Sequence, residues 1–295
     1  MIKCIVCDLD GTLIRQDDTM DERNAKIIKE YQKQGVEFIM ATGRDINMVV
    51  DVMDDYDLDC ELVLNNGNEY RNRDGSFQEV YPMDPQGFIK IVDLLKEYGY
   101  TIEIFTDHGM YGLYDADTFW DMHYRSLRNG LNYGAVMPEK TFTVKERFLR
   151  QYHYKKTPEE VLKEANPLKI DARHAIDESI STIRSRLDQI MDLNISSSHD
   201  HNIEITGTTS NKGDMLINIM KRKGIKEDEV AVFGDSENDL PMMKAFKYSI
   251  CPSNATKNIK ANSFYVTESD CDHGAVYEGI VYLSKIGLLK PVSEN

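Results

Sequence analysis

Two aspartates that follow directly on an apolar run are the residues best suited to chemistry near the start of the chain. Asp8 and Asp10 come after the run at 2–7, in the sequence IKCIVCDLDGTLIR. Such a run predicts a strand buried on both faces, as in the core of a parallel sheet. Ligands of open parallel sheets bind at the carboxyl ends of the strands. We therefore expect the two carboxylates at a reaction centre, although Asp and Gly also serve ordinary turns.

A second apolar run also ends in carboxylates. Residues 230–233 predict another buried strand, and the sequence GDSEND follows at 234–239. Two acidic strand ends predict a bound cation, and oxygen-only ligands suit Mg²⁺, which keeps waters and substrate phosphate in its remaining positions. A solvated acidic loop in an acidic protein would not explain the same placement twice.

Two further positions favour an anionic ligand. Thr42 stands between a strand predicted at 36–40 and a helix predicted from Ile46, where its hydroxyl and nearby backbone N–H groups can bind an anion. Lys212 stands in the first turn of a predicted helix, which is unfavourable for a cation unless it binds an anion. N-capping by Thr42 and solvation of Lys212 are the alternatives that each residue leaves open.

Composition limits the partners of the chain. Its formal net charge of -15 disfavours nucleic acid polymers and anionic membranes, because both are bound by basic surfaces. No apolar run approaches the length of a membrane span, and no secretory pattern precedes the first strand. Five scattered cysteines argue against a disulfide framework. We expect a cytoplasmic protein without a membrane anchor, and the oligomeric state is left open.

The alternation of strands and helices is interrupted in the middle of the chain. Residues 82–203 instead combine helical spacing, for example at 86–98, with alternating polar positions at 101–105 and 141–144. This pattern predicts an α/β fold, in which a Rossmann-like parallel-sheet core domain of residues 1–81 and 204–295 carries an inserted α+β domain of residues 82–203.

Four motifs together resemble those of the haloacid dehalogenase-like hydrolases, specifically the Cof-type phosphatases with a large C2B-type cap. They are DLDGT at 8–12, ATGR at 41–44, NKG at 211–213 and GDSEND at 234–239, in the order of that family. The pair at 66–67, Asn-Gly, also resembles a Cof-type core position. The sequence GTT at 207–209 departs from the family pattern, which concerns the shape of a loop.

The resemblance implies a phosphatase that uses Mg²⁺. Asp8 would be the nucleophile that becomes an aspartyl-phosphate, and Asp10 would act as general acid and then as general base. The metal would be held by Asp8, Asp235 and the backbone carbonyl of Asp10. The residues that would bind the phosphoryl oxygens are Thr42, Gly43, Lys212 and Asn238. Asp239 would orient Lys212 or a metal-bound water.

The resemblance also implies that the inserted domain selects the substrate. The substrate would be a small soluble phosphorylated metabolite, such as a sugar, cofactor or nucleotide phosphate. Two alternatives remain at this point: a sugar phosphomutase or phosphotransferase that passes the phosphoryl group to another hydroxyl, and a non-catalytic phospho-ligand binder.

Overall fold

The computed structural model describes residues 1–15, 17–72, 74–130, 144–174, 177–190, 192–196, 202–207 and 211–291. The chain divides into two compact units, one of Met1–Glu79 with Ser210–Asn295 and the other of Val80–Thr209. The sequence prediction placed the limits at 81 and 204 instead. Residues Asn202–Gly207 belong to a strand of the second unit's sheet, which accounts for the later position of the second limit.

The first unit is built on an eight-stranded sheet. Its strands are β1 (Cys4–Cys7), β2 (Glu37–Ala41), β3 (Glu61–Leu64), β4 (Glu69–Arg71), β5 (Gln78–Val80), β12 (Val230–Phe233), β13 (Tyr248–Cys251) and β14 (Tyr265–Val266). Its helices are α1 (Glu22–Lys33), α2 (Ile46–Asp55), α8 (Lys212–Lys223), α9 (Leu240–Ala245), α10 (Lys257–Ala261) and α11 (Ala275–Lys285). The strand order is β14-β13-β12-β1-β2-β3-β4-β5.

Strand β1 lies in the middle of this sheet and is buried along its whole length. It pairs in parallel with β12 and β2, and the register places Cys7 beside Phe233 on one side and Met40 on the other. The carboxyl ends of the three strands therefore meet at one edge. This register brings together the segments that begin at Asp8, Gly234 and Thr42, because each follows shortly after its strand.

The second unit contains a six-stranded sheet in the order β10-β11-β9-β6-β7-β8. Its strands are β6 (Thr101–Thr106), β7 (Gly109–Leu113), β8 (Tyr152–Lys155), β9 (Pro167–Arg173), β10 (Leu193–Ser196) and β11 (Asn202–Gly207). Its helices are α3 (Pro85–Glu97), α4 (Ala116–Gly130), α5 (Lys145–Leu149), α6 (Pro158–Leu162) and α7 (Asp177–Leu187). Its strands pair antiparallel except for β7 with β8, which are parallel.

The alternation seen in the sequence of the second unit separates two faces of its sheet. Ile102, Ile104 and Ile170 are fully buried on one face and join a hydrophobic cluster that includes Phe88 and Ile91 of α3. The intervening positions carry charged side chains. The predicted strand at 141–144 lies outside the described residues, apart from Val144, which precedes α5. No helix of the described residues is long and apolar enough to span a membrane.

Candidate active site

Three carboxyl groups meet where β1 and β12 end. Asp8 follows β1 directly, and its backbone N–H donates to the carbonyl oxygen of Phe233 over 2.9 Å. Asp8, Asp235 and Asp239 each offer an oxygen atom, and these three atoms lie within 4.8 Å of one another. We call these three carboxylates, together with Lys212, the acidic site.

Lys212 is the cation of the acidic site. It is fully buried, and its Nζ donates to Asp8 Oδ1 over 2.6 Å and to Asp239 Oδ1 over 2.7 Å. It is the first residue of α8, which is N-capped by the side chain of Asn211. Burial alone would lower the pKa of Lys212, but the carboxylates of Asp239 and Asp8 outweigh it and raise the pKa. The lysine is charged here, and it is not the solvated surface residue of the alternative interpretation.

Negative charge exceeds positive charge in the acidic site. Burial raises the pKa of Asp8, and so does the neighbouring Asp239, while Lys212 opposes the rise. The same two causes raise the pKa of Asp235 to about 7. A divalent cation would reduce this excess, and a set of carboxylate oxygens fits a hard cation of that kind.

Both carboxylate oxygens of Asp239 accept hydrogen bonds from other groups of the protein. Oδ1 accepts from Lys212, and Oδ2 accepts from the backbone N–H groups of Asp235 and Ser236 over 2.9 and 3.1 Å. A Cβ atom at Gly234 would lie 2.6 Å from the Cβ of Asp239, so only glycine fits beneath it. Asp239 therefore holds the loop after β12 and orients Lys212.

Thr12 holds the carboxylate of Asp235 in place. The sequence analysis gave Thr12 no role. Its hydroxyl donates to Asp235 Oδ1 over 3.1 Å, and the threonine is fully buried. Gly11 has a φ of +76°, and a Cβ there would lie 2.8 Å from Asp235 Oδ2. The motif DGT contained the signal, since the residues after Asp10 are those that meet the second acidic loop.

The side chain of Asp10 is held apart from the group of three carboxylates. Arg44 donates to both of its oxygens, from Nε over 2.9 Å and from Nη2 over 2.6 Å. Arg44 also donates to Asp18 and to the carbonyl oxygen of Met48. A two-pronged pair of this kind fixes orientation as well as charge. Arg44 is thus a second residue to which the sequence analysis gave no role.

Besides Lys212, the residues expected to bind phosphoryl oxygens lie on two loops of this edge. Thr42 is fully buried after β2, and its hydroxyl accepts from the backbone N–H of Arg44 over 3.1 Å. The N-cap of α2 is Asp45, so the alternative that Thr42 caps this helix is wrong. Gly43 lies between Thr42 and Arg44 in the same turn. On the other loop, Asn238 belongs to the 3₁₀ turn Glu237–Asp239.

Comparison with known proteins identifies the family. The sequence model of the haloacid dehalogenase-like hydrolases matches residues 5–280. The chain belongs to this family. Among its relatives, the phosphatase YwpJ of Bacillus subtilis is 25% identical over 285 residues, which cover 94% of this chain and 98% of the relative. The 5-amino-6-(5-phospho-D-ribitylamino)uracil phosphatase YwtE of the same organism is 26% identical over 282 residues, which cover 94% and 96%.

A solved structure of a haloacid dehalogenase-like hydrolase from Bacillus subtilis has the same fold. It superposes with a TM-score of 0.80 at 24% sequence identity, covering 96% of this chain and all of the other. The chain is thus an enzyme of the haloacid dehalogenase-like phosphomonoester hydrolase class. The family, the fold class and the enzyme class predicted from the sequence are confirmed.

Proposed function

We propose that this haloacid dehalogenase-like hydrolase is a Mg²⁺-dependent phosphatase that acts on small phosphate monoesters through an aspartyl-phosphate at Asp8. The observation that carries the proposal is the buried contact of Asp8 with Lys212, at the end of the central strand and beside Asp235. A buried carboxylate next to a single lysine and two further carboxylates needs more positive charge than the protein supplies.

The electrostatics of the reaction explain this need. A phosphate dianion at about 4 Å from the Asp8 carboxylate would be repelled by about 8 kcal/mol at an effective dielectric of 20. Lys212 offsets part of this repulsion. Asp8, Asp235 and the backbone carbonyl of Asp10 would hold Mg²⁺, which supplies the remaining positive charge near the phosphoryl oxygens.

Asp8 and Asp10 would divide the chemistry between them. The Asp8 carboxylate attacks phosphorus, so that an O–P bond to Asp8 forms while the bond to the leaving oxygen breaks, and Asp10 gives its proton to that oxygen. Asp10 then takes a proton from water, which attacks phosphorus, releases inorganic phosphate and restores Asp8. Arg44 holds the Asp10 carboxylate by both oxygens, so Asp10 would have to release Arg44 before it carries the proton that it gives to the leaving oxygen.

The remaining polar groups of the site would position the phosphoryl group. Thr42, Gly43 and Asn238 would donate to its oxygens, and Asp239 would keep Lys212 directed at Asp8. Because all of these groups would contact the phosphoryl group, they define the reaction but do not identify the rest of the substrate. A small phosphorylated metabolite is the proposed substrate class, in line with the names of relatives such as the aminouracil phosphatase YwtE.

The test is phosphate release from a panel of sugar, cofactor and nucleotide monoesters, with Mg²⁺ and with EDTA. We expect turnover by the wild-type enzyme in Mg²⁺, and a loss of at least about 10³-fold in Asp8→Asn, because the nucleophile is removed. Asp57→Asn is the matched control, since Asp57 is exposed on the surface of the same unit.

Two outcomes would contradict the proposal. Turnover that persists in Asp8→Asn would exclude an aspartyl-phosphate at Asp8. Transfer of the phosphoryl group to a second hydroxyl, seen as the absence of ¹⁸O from labelled water in the product, would identify a phosphomutase instead.

A further inference from the structure

The turn Asn65–Gly67, which follows β3, has an unusual backbone. Its three residues have successive φ angles of +52°, +58° and +97°. Asparagine tolerates the left-handed region better than most residues, yet each such non-glycine position still costs about 1 kcal/mol or more. Backbone strain of this kind persists where the surrounding structure holds it in place, often beside a ligand site.

The turn contacts three of the segments that carry proposed phosphoryl-binding residues. The backbone N–H of Asn66 donates to the carbonyl oxygen of Thr42 over 3.1 Å. A Cβ atom at Gly67 would lie 2.7 Å from the backbone nitrogen of Lys212, so the turn packs against the start of α8. The side chain of Asn66 accepts, through Oδ1, from Nδ2 of Asn238 over 3.1 Å.

Buried hydrogen bonds hold the turn in this conformation. Asn65 Nδ2 donates to Glu69 Oε2 over 3.0 Å, and Asn68 Nδ2 donates to the carbonyl oxygen of Asn65 over 2.8 Å. Glu69, Asn65 and Asn68 are all fully or almost fully buried. The strain is therefore compensated by contacts that also fix the position of Asn66.

The amide of Asn238 is held at both ends, and its NH₂ end pairs with Asn66. The other end of that amide, Oδ1, accepts from the hydroxyl of Ser236 over 2.8 Å. A hydroxyl can donate or accept, so Ser236 alone would tolerate either orientation of the amide. Asn66 presents Oδ1, an acceptor only, and in this arrangement Asn238 presents its NH₂ group on the side of Asn66.

We propose that Asn66 is a positioning residue of the phosphoryl site, which acts by holding the NH₂ group of Asn238 toward the bound phosphoryl group. The proposal rests on the function proposed above. An amide NH₂ carries two hydrogens, of which Asn66 takes one and a phosphoryl oxygen takes the other. Without Asn66, rotation of the amide would turn its carbonyl oxygen toward a phosphate dianion, and the two would repel each other.

The test is the affinity for inorganic phosphate in Mg²⁺, measured by calorimetry, in wild type, Asn66→Gly, Asn238→Ala and the double variant. Glycine keeps the left-handed backbone and removes only the amide side chain. We expect Kd to rise about tenfold in Asn66→Gly, the worth of one hydrogen bond. In the Asn238→Ala background the same substitution should change Kd less than about twofold, because the group it positions is gone.

Asp57→Gly is the matched control, since Asp57 also has a positive φ, of +50°, and is exposed. Its Kd should equal that of wild type. An unchanged Kd in Asn66→Gly, or an equal loss in both backgrounds, would overturn the proposal.

Steady-state kinetics separate this proposal from the proposed function. With an active enzyme, Asn66→Gly should raise KM about as much as Kd and leave kcat within about threefold, since it weakens phosphoryl binding throughout the reaction. If the Kd values of wild type, the two single variants and the double variant follow the expected pattern but no ester is hydrolysed, only the proposed function is contradicted. Turnover with no effect of Asn66→Gly on Kd would contradict the role of Asn66 alone.

Discussion

The two units each bury a cluster of carboxylates, and the clusters differ in how they are balanced. The acidic site of the first unit sets three carboxylates against Lys212 alone. On the charged face of the second sheet, the register places Glu103 beside Asp171 and Asp171 beside Glu204. We call these three residues the carboxylate row. Like charges in neighbouring cross-strand positions are ordinarily destabilising.

Cations and hydrogen-bond donors surround the carboxylate row. Arg173 lies 3.6 Å from Glu103 and 3.5 Å from Asp171, and Lys169 lies 4.0 Å from Glu204. Tyr152 donates its hydroxyl hydrogen to Glu103 over 2.7 Å. Among the residues that the structure describes, three metal-ligating side chains come within 4.8 Å of one another only in the acidic site. The row is balanced by the protein itself.

The pKa shifts of the carboxyl groups reflect this difference in charge balance between the two clusters. Burial would raise the pKa of Glu103, but Arg173 and His123 outweigh it and lower the pKa to about 2. In the acidic site, burial and Asp239 raise the pKa of Asp8 despite Lys212. Asp171, in the middle of the row, resembles the acidic site more closely, since burial raises its pKa. A buried cluster with unbalanced charge is a candidate for function, whereas a balanced one can serve structure.

The largest effect is expected when the acidic site loses its lysine. Lys212→Met should lower the free energy of unfolding in EDTA by about 4 kcal/mol, because it leaves three carboxylates without a cation. Mg²⁺ should restore part of the loss. Urea unfolding with and without Mg²⁺ measures both effects, with Lys221→Met, exposed on the same helix, as the control. Wild-type stability of Lys212→Met in EDTA would show that the acidic site is balanced without Lys212.

The carboxylate row should lose stability when its own balance is disturbed. Glu103→Gln removes the charge that Arg173 and His123 stabilise, and we expect a loss of about 3 kcal/mol that Mg²⁺ does not restore. Urea unfolding in EDTA and in Mg²⁺ tests this, with the exposed Glu97→Gln as control. Recovery of Glu103→Gln in Mg²⁺ would mean that the row also binds metal and would remove the contrast.

The lowered pKa of Glu103 predicts how the stability of the fold depends on pH. Its pKa is about 2 in the folded chain against an ordinary value of 4.5, so its contribution is present above pH 4.5 and is lost as pH falls toward 2. The difference in unfolding free energy between wild type and Glu103→Gln should therefore shrink by about 2 kcal/mol from pH 7 to pH 3. Urea midpoints over this range test it, and a constant difference would contradict the lowered pKa.

The smallest effect is expected to have the opposite sign. The pKa of Asp235 is raised to about 7, so above that pH its ionised form destabilises the fold. Asp235→Asn should raise the free energy of unfolding at pH 8 in EDTA by about 1 kcal/mol, as is common when an active-site charge is removed. It should also abolish the stabilisation by Mg²⁺ that we expect for wild type. Lower stability of this variant in EDTA would contradict the excess of negative charge.

The elements that carry the acidic site were predictable because their signals are local. Apolar runs that end in Asp8 and in the segment 234–239 are read from neighbouring residues, and so is the cap of α8 at Asn211. Parallel pairing then brings the strand ends together without further information. A bound cation was predicted on this basis, and the resemblance to the family then implied its ligands. Their roles remain predictions that the experiments above address.

The partners of these residues were not predictable, since each contact joins distant positions. Thr12 and Asp235 are 223 residues apart, Asn66 and Asn238 are 172 apart, and Arg44 and Asp10 are 34 apart. Such pairs depend on the strand register and on loop conformations, including positive φ angles at asparagine that no periodicity signals. The carboxylate row likewise follows from the register of β6, β9 and β11.

The sequence by itself determined the family, the alternation of strands and helices in the first unit, and which residue types stand at the carboxyl ends of the central strands. These follow from short-range patterns of burial and turn chemistry. The tertiary structure alone decided that Lys212 is buried between Asp8 and Asp239. It also decided that Arg44 pairs with both oxygens of Asp10. Neighbouring cations and donors balance the carboxylate row, whereas Lys212 alone does not balance the acidic site. Charge balance depends on distances between side chains, and only the folded chain sets those distances.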